Sequence, residues 1–255
     1  VLYGSAITSL TYINGVTLRY GNADGAGDDA DGGGMRSAAN YVAINCIANN
    51  NTATYGGGWR YGTNTNCIAD NNTATYGGGG WHSGTNTNCI ANNNTASYGG
   101  GGWIYGTNTN CIANNNTAYY GGGWIYGTNT NCIANNNTAT YGGGGWHSGT
   151  NTNCIANNNT ASYGGGGWHD GTNSNCIANN NTAANGGGWR GGTNVNCTGI
   201  NNRAPQAVFG SQSTDTNINC LLFNNKNTSN EAVGFDDKTA SGVKIFLNNA
   251  YDVAH

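Results

Sequence analysis

Carboxylates that could carry out acid–base chemistry are scarce in the regular part of this sequence. Glycoside hydrolases need two acids that flank one bond, and polysaccharide-cleaving enzymes also use clustered acids that hold Ca²⁺. The repeated region contains two acids, Asp70 and Asp170, which lie about five repeat units apart. They cannot form a catalytic pair, so we expect no catalytic residue and no enzyme activity, which disfavours a polysaccharide-active enzyme.

An acidic glycine-rich segment at residues 22–31 is the best candidate for a calcium site. Its four carboxylates, Asp24, Asp28, Asp29 and Asp31, could supply oxygen ligands to Ca²⁺. Their spacing does not fit the twelve-residue calcium-binding loop, so the signal is weak. A solvated acidic loop is the preferred interpretation.

A second candidate metal site combines His147 and His169 with the adjacent Asp170. Zn²⁺ needs such neighbours. The residue that follows tryptophan in the other repeats is Arg60, His82, Ile104, Ile125 or Arg190. This variation indicates a tolerant, outward-facing position, so we expect neither zinc nor another cofactor.

Nine cysteines recur every 21–23 residues along the chain. They are Cys46, Cys67, Cys89, Cys111, Cys132, Cys154, Cys176, Cys197 and Cys220. If these residues stack in a ladder about 4.8 Å apart, their Cβ atoms are too far apart for a relaxed disulfide. We therefore expect buried free thiols that act as small hydrophobic side chains.

Seven tryptophans keep the same period as the cysteines. They are Trp59, Trp81, Trp103, Trp124, Trp146, Trp168 and Trp189. Such a ladder could form a stacked core row or an exposed aromatic platform for sugars. Seven exposed indoles would promote aggregation, so a core row is preferred.

A Thr-x-Thr segment precedes each cysteine from Cys67 to Cys154, and outward threonine arrays are typical of ice-binding solenoids. The second threonine, Thr65 in one repeat, becomes Ile44, Val195 or Ile218 in divergent repeats. These apolar replacements favour inward-facing threonines that share the core with cysteine and alanine, leaving isoleucines such as Ile68 outside. That arrangement argues against ice binding. The opposite arrangement, with isoleucine inside and threonine outside, remains open.

Every central repeat carries an Asn-x-Thr sequence, which is the acceptor signal for N-linked glycans in a suitable secretory system. The candidate acceptors are Asn50, Asn71, Asn93, Asn115, Asn136, Asn158 and Asn180. A unit so rich in asparagine and threonine also produces this match by composition alone. The protein is therefore a possible glycoprotein.

Composition narrows the class of fold that positions these residues. The chain has 255 residues with 45 glycines and one proline, and charged residues make up 7%. This excludes collagen and argues against coiled coils. Eight Lys and Arg against eleven Asp and Glu give no basic surface for nucleic acid. No apolar run is long enough to span a membrane as a helix.

The period of about 22 residues predicts a repeat fold in which each unit is one coil. The unit reads NCIANNNTATYGGGGWHSGTNT, with alternating residues before an Asn-Asn-Asn turn signal. We predict an all-β protein, a single right-handed parallel β-helix of about eleven coils. The one domain covers residues 1–255, with N-terminal coils at 1–45, regular repeats at 46–197 and divergent C-terminal coils at 198–255. We also expect asparagine ladders between coils, with the mid-stack Asn115 in a buried one.

The repeated string NCIANNNTATYGGGG resembles the units of bacterial exported right-handed β-helix proteins, including the polymorphic outer-membrane-protein type and surface adhesins. The matching steps are Asn51 with Ala53, then the glycines at 56–58 with Trp59, where the family usually has a small aliphatic residue. The resemblance covers roughly residues 10–250. It implies this fold and export to the cell surface or the extracellular space.

These observations predict a non-enzymatic extracellular structural protein that stacks end to end as a fibre or surface-coat subunit. No polar cap is evident at either end of the sequence, so the expected partner is another copy of the same chain in a head-to-tail homopolymer. The alternative is an adhesin or glycan-binding module whose ladders contact glycans or other cell-surface polymers.

Overall fold

The computed structural model describes residues 2–4, 11–25, 31–37, 41–205, 209–210, 216–227 and 245–247. All the regular secondary structure in these ranges is β-strand, and the strands form four parallel sheets that run the length of the molecule. We name the sheets after the residue type that characterises each of them.

Each turn of the chain contributes to the sheets in a fixed order. The tryptophan sheet consists of β1 Leu2–Gly4, β5 Met35–Ser37, β9 Trp59–Arg60, β13 Trp81–His82, β17 Trp103–Ile104, β21 Trp124–Ile125, β25 Trp146–His147, β29 Trp168–His169, β33 Trp189–Arg190 and β36 Phe209–Gly210. The threonine sheet consists of β2 Thr11–Asn14, β6 Tyr41–Ile44, β10 Thr63–Thr65, β14 Thr85–Thr87, β18 Thr107–Thr109, β22 Thr128–Thr130, β26 Thr150–Thr152, β30 Thr172–Ser174, β34 Thr193–Val195 and β37 Thr216–Ile218.

The other two sheets complete the coil. The isoleucine sheet consists of β3 Thr17–Arg19, β7 Ile47–Asn49, β11 Ile68–Asp70, β15 Ile90–Asn92, β19 Ile112–Asn114, β23 Ile133–Asn135, β27 Ile155–Asn157, β31 Ile177–Asn179, β35 Thr198–Ile200, β38 Leu221–Phe223 and β39 Ile245–Leu247. The alanine sheet consists of β4 Asn22–Ala23, β8 Thr52–Ala53, β12 Thr73–Ala74, β16 Thr95–Ala96, β20 Thr117–Ala118, β24 Thr138–Ala139, β28 Thr160–Ala161 and β32 Thr182–Ala183.

Every strand pairs with the equivalent strand of the next coil, so identical residues lie directly above one another. Trp81, for example, pairs with Trp59 on one side and Trp103 on the other. The result is the predicted right-handed parallel β-solenoid. Eight successive described coils, β1 to β32, carry all four strands. Two further coils lack the alanine strand and β39 stands alone, so complete coils are fewer than the eleven expected.

The corners of the coil are made by asparagines in the left-handed conformation. In one coil, Asn66 (φ 52°) separates the threonine and isoleucine sheets and Asn71 (φ 53°) separates the isoleucine and alanine sheets. Asparagine tolerates positive φ better than other residues with a side chain. The repeated asparagines on either side of Cys-Ile-Ala therefore set where the chain bends.

The glycine run forms the corner between the alanine and tryptophan sheets. Backbones of adjacent coils approach closely there: a Cβ atom on Gly57 would lie 2.4 Å from the carbonyl oxygen of Gly79. No side chain fits into such a gap, which explains the glycines.

The predicted inward arrangement is correct for cysteine and alanine and wrong for threonine. Thr63 is exposed and Thr65 is half-buried, whereas Asn64 between them is fully buried. The left-handed Asn66 lies between Thr65 and Cys67, so the in–out alternation restarts at Cys67 instead of continuing through the corner. Simple period-2 counting across this corner therefore puts the threonines on the wrong face.

The apolar replacements that suggested inward threonines have a different explanation. Ile44, Val195 and Ile218 are half-buried on the outer face, in the same position as Thr65. Outward positions of a sheet favour β-branched side chains, whether threonine, valine or isoleucine. Ile68 also lies half-buried on the outer face, as the preferred arrangement predicted.

Two buried asparagine ladders run through the core beside the cysteines. Asn64 donates from Nδ2 to Oδ1 of Asn86 at 2.8 Å, and Asn86 repeats this bond to Asn108. In the second ladder Asn116 is fully buried. Asn115 was the residue expected there, but it is exposed at a left-handed corner (φ 55°).

Candidate functional site

The acidic candidates do not gather into one site in the described residues. Asp70 ends β11 in the isoleucine sheet, whereas Asp170 lies at the corner after β29. Asp31 is buried and forms ion pairs with Arg60 and, at 3.5 Å, with Arg36. These cations neutralise the carboxylate that a calcium ion would need.

The remaining members of the calcium candidate give it little support. Asp24 is exposed and accepts a hydrogen bond from Nδ2 of Asn22 at 2.8 Å. Asp28 and Asp29 lie outside the described residues. The residues that are described therefore do not assemble the four-carboxylate site.

The structure does bring the candidate zinc ligands together. Ligand atoms of His147, His169 and Asp170 all lie within 4.8 Å of one another. His169 is buried, and Nη1 of Arg190 donates to its Nε2 at 3.0 Å. Burial, together with the neighbouring Arg190 charge, lowers the pKa of His169 to about 4. The arginine occupies one imidazole nitrogen and repels cations, so the cluster is a poor metal site.

The cysteine and tryptophan ladders both lie in the core. All nine cysteines are free and buried, and a typical thiol, Cys111, donates to the carbonyl oxygens of Asn86 and Thr109. The seven tryptophans are fully buried. From Trp81 to Trp189 their ring centroids lie 4.7–4.9 Å apart with interplanar angles of 4–6°. Fully buried indoles cannot serve as a sugar platform.

The candidate glycan acceptors share one exposed edge of the solenoid. Each of them is exposed and has a φ angle of 53–55° at the corner between the isoleucine and alanine sheets. The threonine two residues later is exposed as well, as at Thr117. Adjacent acceptors are one coil apart, about 4.8 Å, so a glycan on one would crowd the next.

The threonine sheet presents a regular outer surface. Successive strands place threonine above threonine in two parallel rows, beginning with Thr63 and Thr65 and continuing in strict register through β26. In β30 the second row continues as Ser174, and in β34 as Val195. The residues of this outer surface are in register from coil to coil. They are uncharged and rich in methyl and hydroxyl groups.

A row of exposed tyrosines that was not predicted from the sequence borders the tryptophan sheet. We call it the tyrosine row: Tyr55, Tyr76, Tyr98, Tyr119, Tyr141 and Tyr163. Neighbouring ring centroids lie 5.0–6.3 Å apart over six coils. The signal in the sequence was the tyrosine one or two residues before the glycine run in successive repeats.

A groove runs beside the tyrosine row in the middle of the stack. It has a volume of about 220 Å³ and is lined by Tyr98, Tyr120 and Tyr126 above the buried Ile104 and Ile125. We call it the tyrosine groove. The residues that follow tryptophan, predicted to be freely exposed, are instead buried or half-buried, and two of them form the floor.

Two histidines close the ends of this apolar floor, because His82 pairs with Ile104 and His147 pairs with Ile125. Burial and the charge of Arg60 lower the pKa of His82 to about 4. Burial and the charge of His169 lower the pKa of His147 to about 4 as well. Both imidazoles are therefore neutral at neutral pH, and the groove carries no formal charge on its described lining.

The described residues contain no helix long and apolar enough to cross a membrane. Comparison with known proteins finds no matching family model, no matching curated protein and no matching solved structure. What the molecule itself shows is a tandem-repeat β-solenoid whose stacked parallel coils bury cysteine, tryptophan and asparagine ladders.

Proposed function

We propose that this protein is a non-enzymatic extracellular structural subunit that stacks end to end into a fibre or surface coat. The observation that carries the proposal is that the outermost strands in the described part of the chain pair on one side only. Among the described residues, β1, β2 and β3 pair on one side only, as do β36, β37 and β39 at the other end. Unpaired strand edges are templates for another chain.

The constancy of the cross-section supports the same proposal. The coils from β9 to β32 offer their neighbours the same backbone edge and the same ladders, and the end coils keep the same parallel pairing, so a second copy could extend the sheets by the same type of backbone contact. A heterologous contact of this kind propagates into a filament when its rotation does not close a ring. The likeness of the repeats to those of exported bacterial β-helix proteins, the polymorphic outer-membrane type included, supports an extracellular location.

The test uses one residue at the N-terminal edge. Ile47 donates to the carbonyl oxygen of Val16 at 2.9 Å, so in a parallel ladder the N–H of the exposed Thr17 points to the open edge. Thr17→Pro removes that donor, whereas Thr17→Val keeps it.

Light scattering and negative-stain microscopy over a concentration series should show filaments for the wild type and for Thr17→Val. Thr17→Pro should shorten them or leave monomers. A wild type that stays monomeric at high concentration, with a cooperative melting curve, would refute the proposal.

The outward threonine rows favour a second candidate function, binding to ice. Their orientation removes the argument made against it from the sequence, because Thr63 and its equivalents face solvent. Rows of methyl and hydroxyl groups at regular spacing can order water on a flat surface. Measurable thermal hysteresis that is lost in Thr130→Tyr, but kept in Thr117→Tyr on the alanine sheet, would support it. Absence of hysteresis in the wild type would reject it.

A further inference from the structure

The tyrosine groove has the composition of a site for an uncharged, amphipathic ligand. Ile104 and Ile125 on its floor are 7% and 4% exposed, and the phenol groups of Tyr98, Tyr120 and Tyr126 rise around them. A tyrosine offers an apolar ring and a hydroxyl that both donates and accepts hydrogen bonds. The site therefore suits a ligand with one apolar face and a rim of hydroxyl groups.

Tyr120 differs from the other tyrosines in its orientation. Its ring meets those of Tyr119 and Tyr141 edge-on, with interplanar angles of 82° and 81°, whereas Tyr119 and Tyr141 are parallel to within 2°. The ring of Tyr120 is therefore nearly perpendicular to the common ring plane of Tyr119 and Tyr141. Tyr120 also lines the groove.

The positive charges around the groove lie at its far ends. Arg60 lies over the rings of Tyr55 and Tyr61, at 5.2 and 4.8 Å from their centroids, and Arg190 lies 4.9 Å from the centroid of Tyr163. Between these two arginines the equivalent positions are isoleucines and neutral histidines. An anionic ligand would find no cation in the middle of the groove.

The surface along the groove repeats once per coil. The tyrosine row continues on both sides of it with one ring per coil, spaced 5.0–6.3 Å apart. This step is close to the length of one pyranose unit in an extended chain. A periodic row of hydroxyl donors fits a polymer whose own hydroxyl groups repeat at a similar interval.

We propose that the tyrosine groove binds a neutral polysaccharide, with one pyranose ring against Ile104, Ile125 and Tyr120 and neighbouring sugar units hydrogen-bonded along the tyrosine row. This binding site is independent of end-to-end stacking, since it uses the side of the solenoid and not its ends. It gives the subunit a means to attach to a carbohydrate matrix.

Two substitutions test the site with side chains that the fold already accepts at equivalent positions. Ile125→Arg introduces the residue found at Arg60 and Arg190 and fills the groove with a cation. Tyr120→Asn introduces the residue that precedes the three glycines at Asn185. The control is Tyr12→Ala, because Tyr12 is 65% exposed and lies on the threonine sheet, away from the groove.

The probes are xylan, mannan, laminarin and hydroxyethyl cellulose, with alginate as the anionic comparison, measured by affinity electrophoresis and by calorimetry with oligosaccharides of increasing length. The wild type and Tyr12→Ala should bind at least one neutral polymer, with affinity that rises with chain length. Ile125→Arg and Tyr120→Asn should weaken binding about tenfold while the melting curves stay cooperative.

Three results would overturn the proposal. One is that none of the neutral polymers binds. Another is that both groove variants bind as tightly as the wild type. The third is that only alginate binds, in a salt-sensitive way. None of these results depends on whether filaments form, so the fibre proposal and the binding proposal fail separately.

Discussion

Asn94 makes two hydrogen bonds to a single atom of Asn116, one from its backbone N–H at 2.8 Å and one from its side-chain Nδ2 at 3.0 Å. The same Nδ2 also donates to the carbonyl oxygen of Ala69 at 3.0 Å. One asparagine thus links three successive coils, and the pattern repeats along the stack.

Asn116→Leu should therefore be strongly destabilising. It removes the acceptor of both bonds from Asn94 and leaves the carbonyl oxygen of Ala91, which accepts from Nδ2 of Asn116, without that donor. Each buried polar group left unpaired costs about 1–3 kcal/mol, so we expect a loss of about 3 kcal/mol or more in the free energy of unfolding. Chemical denaturation measures it. Asn115→Gly, at the exposed left-handed corner, is the control and should change stability by less than about 1 kcal/mol; equal losses would contradict the buried ladder.

In the tryptophan ladder, we expect replacement by phenylalanine to destabilise the protein much less than replacement by alanine. The indole Nε1 atoms of Trp103, Trp124 and Trp146 are buried and have no hydrogen-bond partner in the described structure. Trp124→Phe removes an unpaired donor while keeping an aromatic ring in the stack, whereas Trp124→Ala leaves a large cavity. We expect a loss of about 3–5 kcal/mol for alanine and clearly less for phenylalanine. Thermal unfolding of both variants decides it, and a phenylalanine variant as unstable as the alanine variant would argue for a hidden bond to the indole nitrogen.

Acid should destabilise the fold through its buried histidines. The pKa values of His82, His147 and His169 are lowered to about 4, mainly by burial, against about 6.5 in an unfolded chain. Between these two values the unfolded state binds more protons, so the stability present above about pH 6.5 is lost as the pH falls towards 4. For His169, whose exposed fraction is 5%, the loss at pH 5 is at most about 2 kcal/mol, and solvent screening reduces it.

A variant in which all three histidines are replaced by isoleucine, the residue at Ile104 and Ile125, isolates this effect. Its melting temperature should vary less between pH 7 and pH 5 than that of the wild type. Parallel pH profiles for the two proteins would show that carboxylates, and not these histidines, cause the acid sensitivity.

The thiols of the cysteine ladder should be unreactive towards alkylating reagents in the native protein. All nine thiols are buried, and a typical one, that of Cys132, donates to the carbonyl oxygens of Asn108 and Thr130, so an alkylating reagent in solvent cannot reach the sulfur. Alkylation under native conditions should label few or none of the nine cysteines, and alkylation after denaturation without a reductant should label all nine. Mass spectrometry counts the labels. Fewer than nine labels after denaturation would indicate disulfides.

The fold could be predicted from sequence because its signals are periodic and mutually consistent. The spacing of Cys67 and Trp59 and of their equivalents gives the coil length, and the asparagines on either side of Cys-Ile-Ala mark the corners. The orientation of Thr65 could not be obtained in the same way. Alternation along a strand carries over to the next strand only if the corner residue keeps extended geometry, and Asn66 does not.

The groove was harder to predict than the ladders. Ile104 and Ile125 occupy a position that holds arginine or histidine in other coils, which looked like tolerance of any exposed residue. A half-buried position also accepts long cationic side chains, because their apolar stems cover the surface while their ends reach solvent. Sequence variation alone does not separate these two situations.

The pairing of each coil with its two neighbours affects how the number of coils can change during evolution. Each coil contacts mainly the coils before and after it, and both the 21-residue and the 22-residue units fit the same ladders. Duplication or loss of one whole unit in the coding sequence would add or remove one rung without repacking the others. The length of the rod, and with it the number of tyrosines along its side, is thus a quantity that recombination can adjust in single steps.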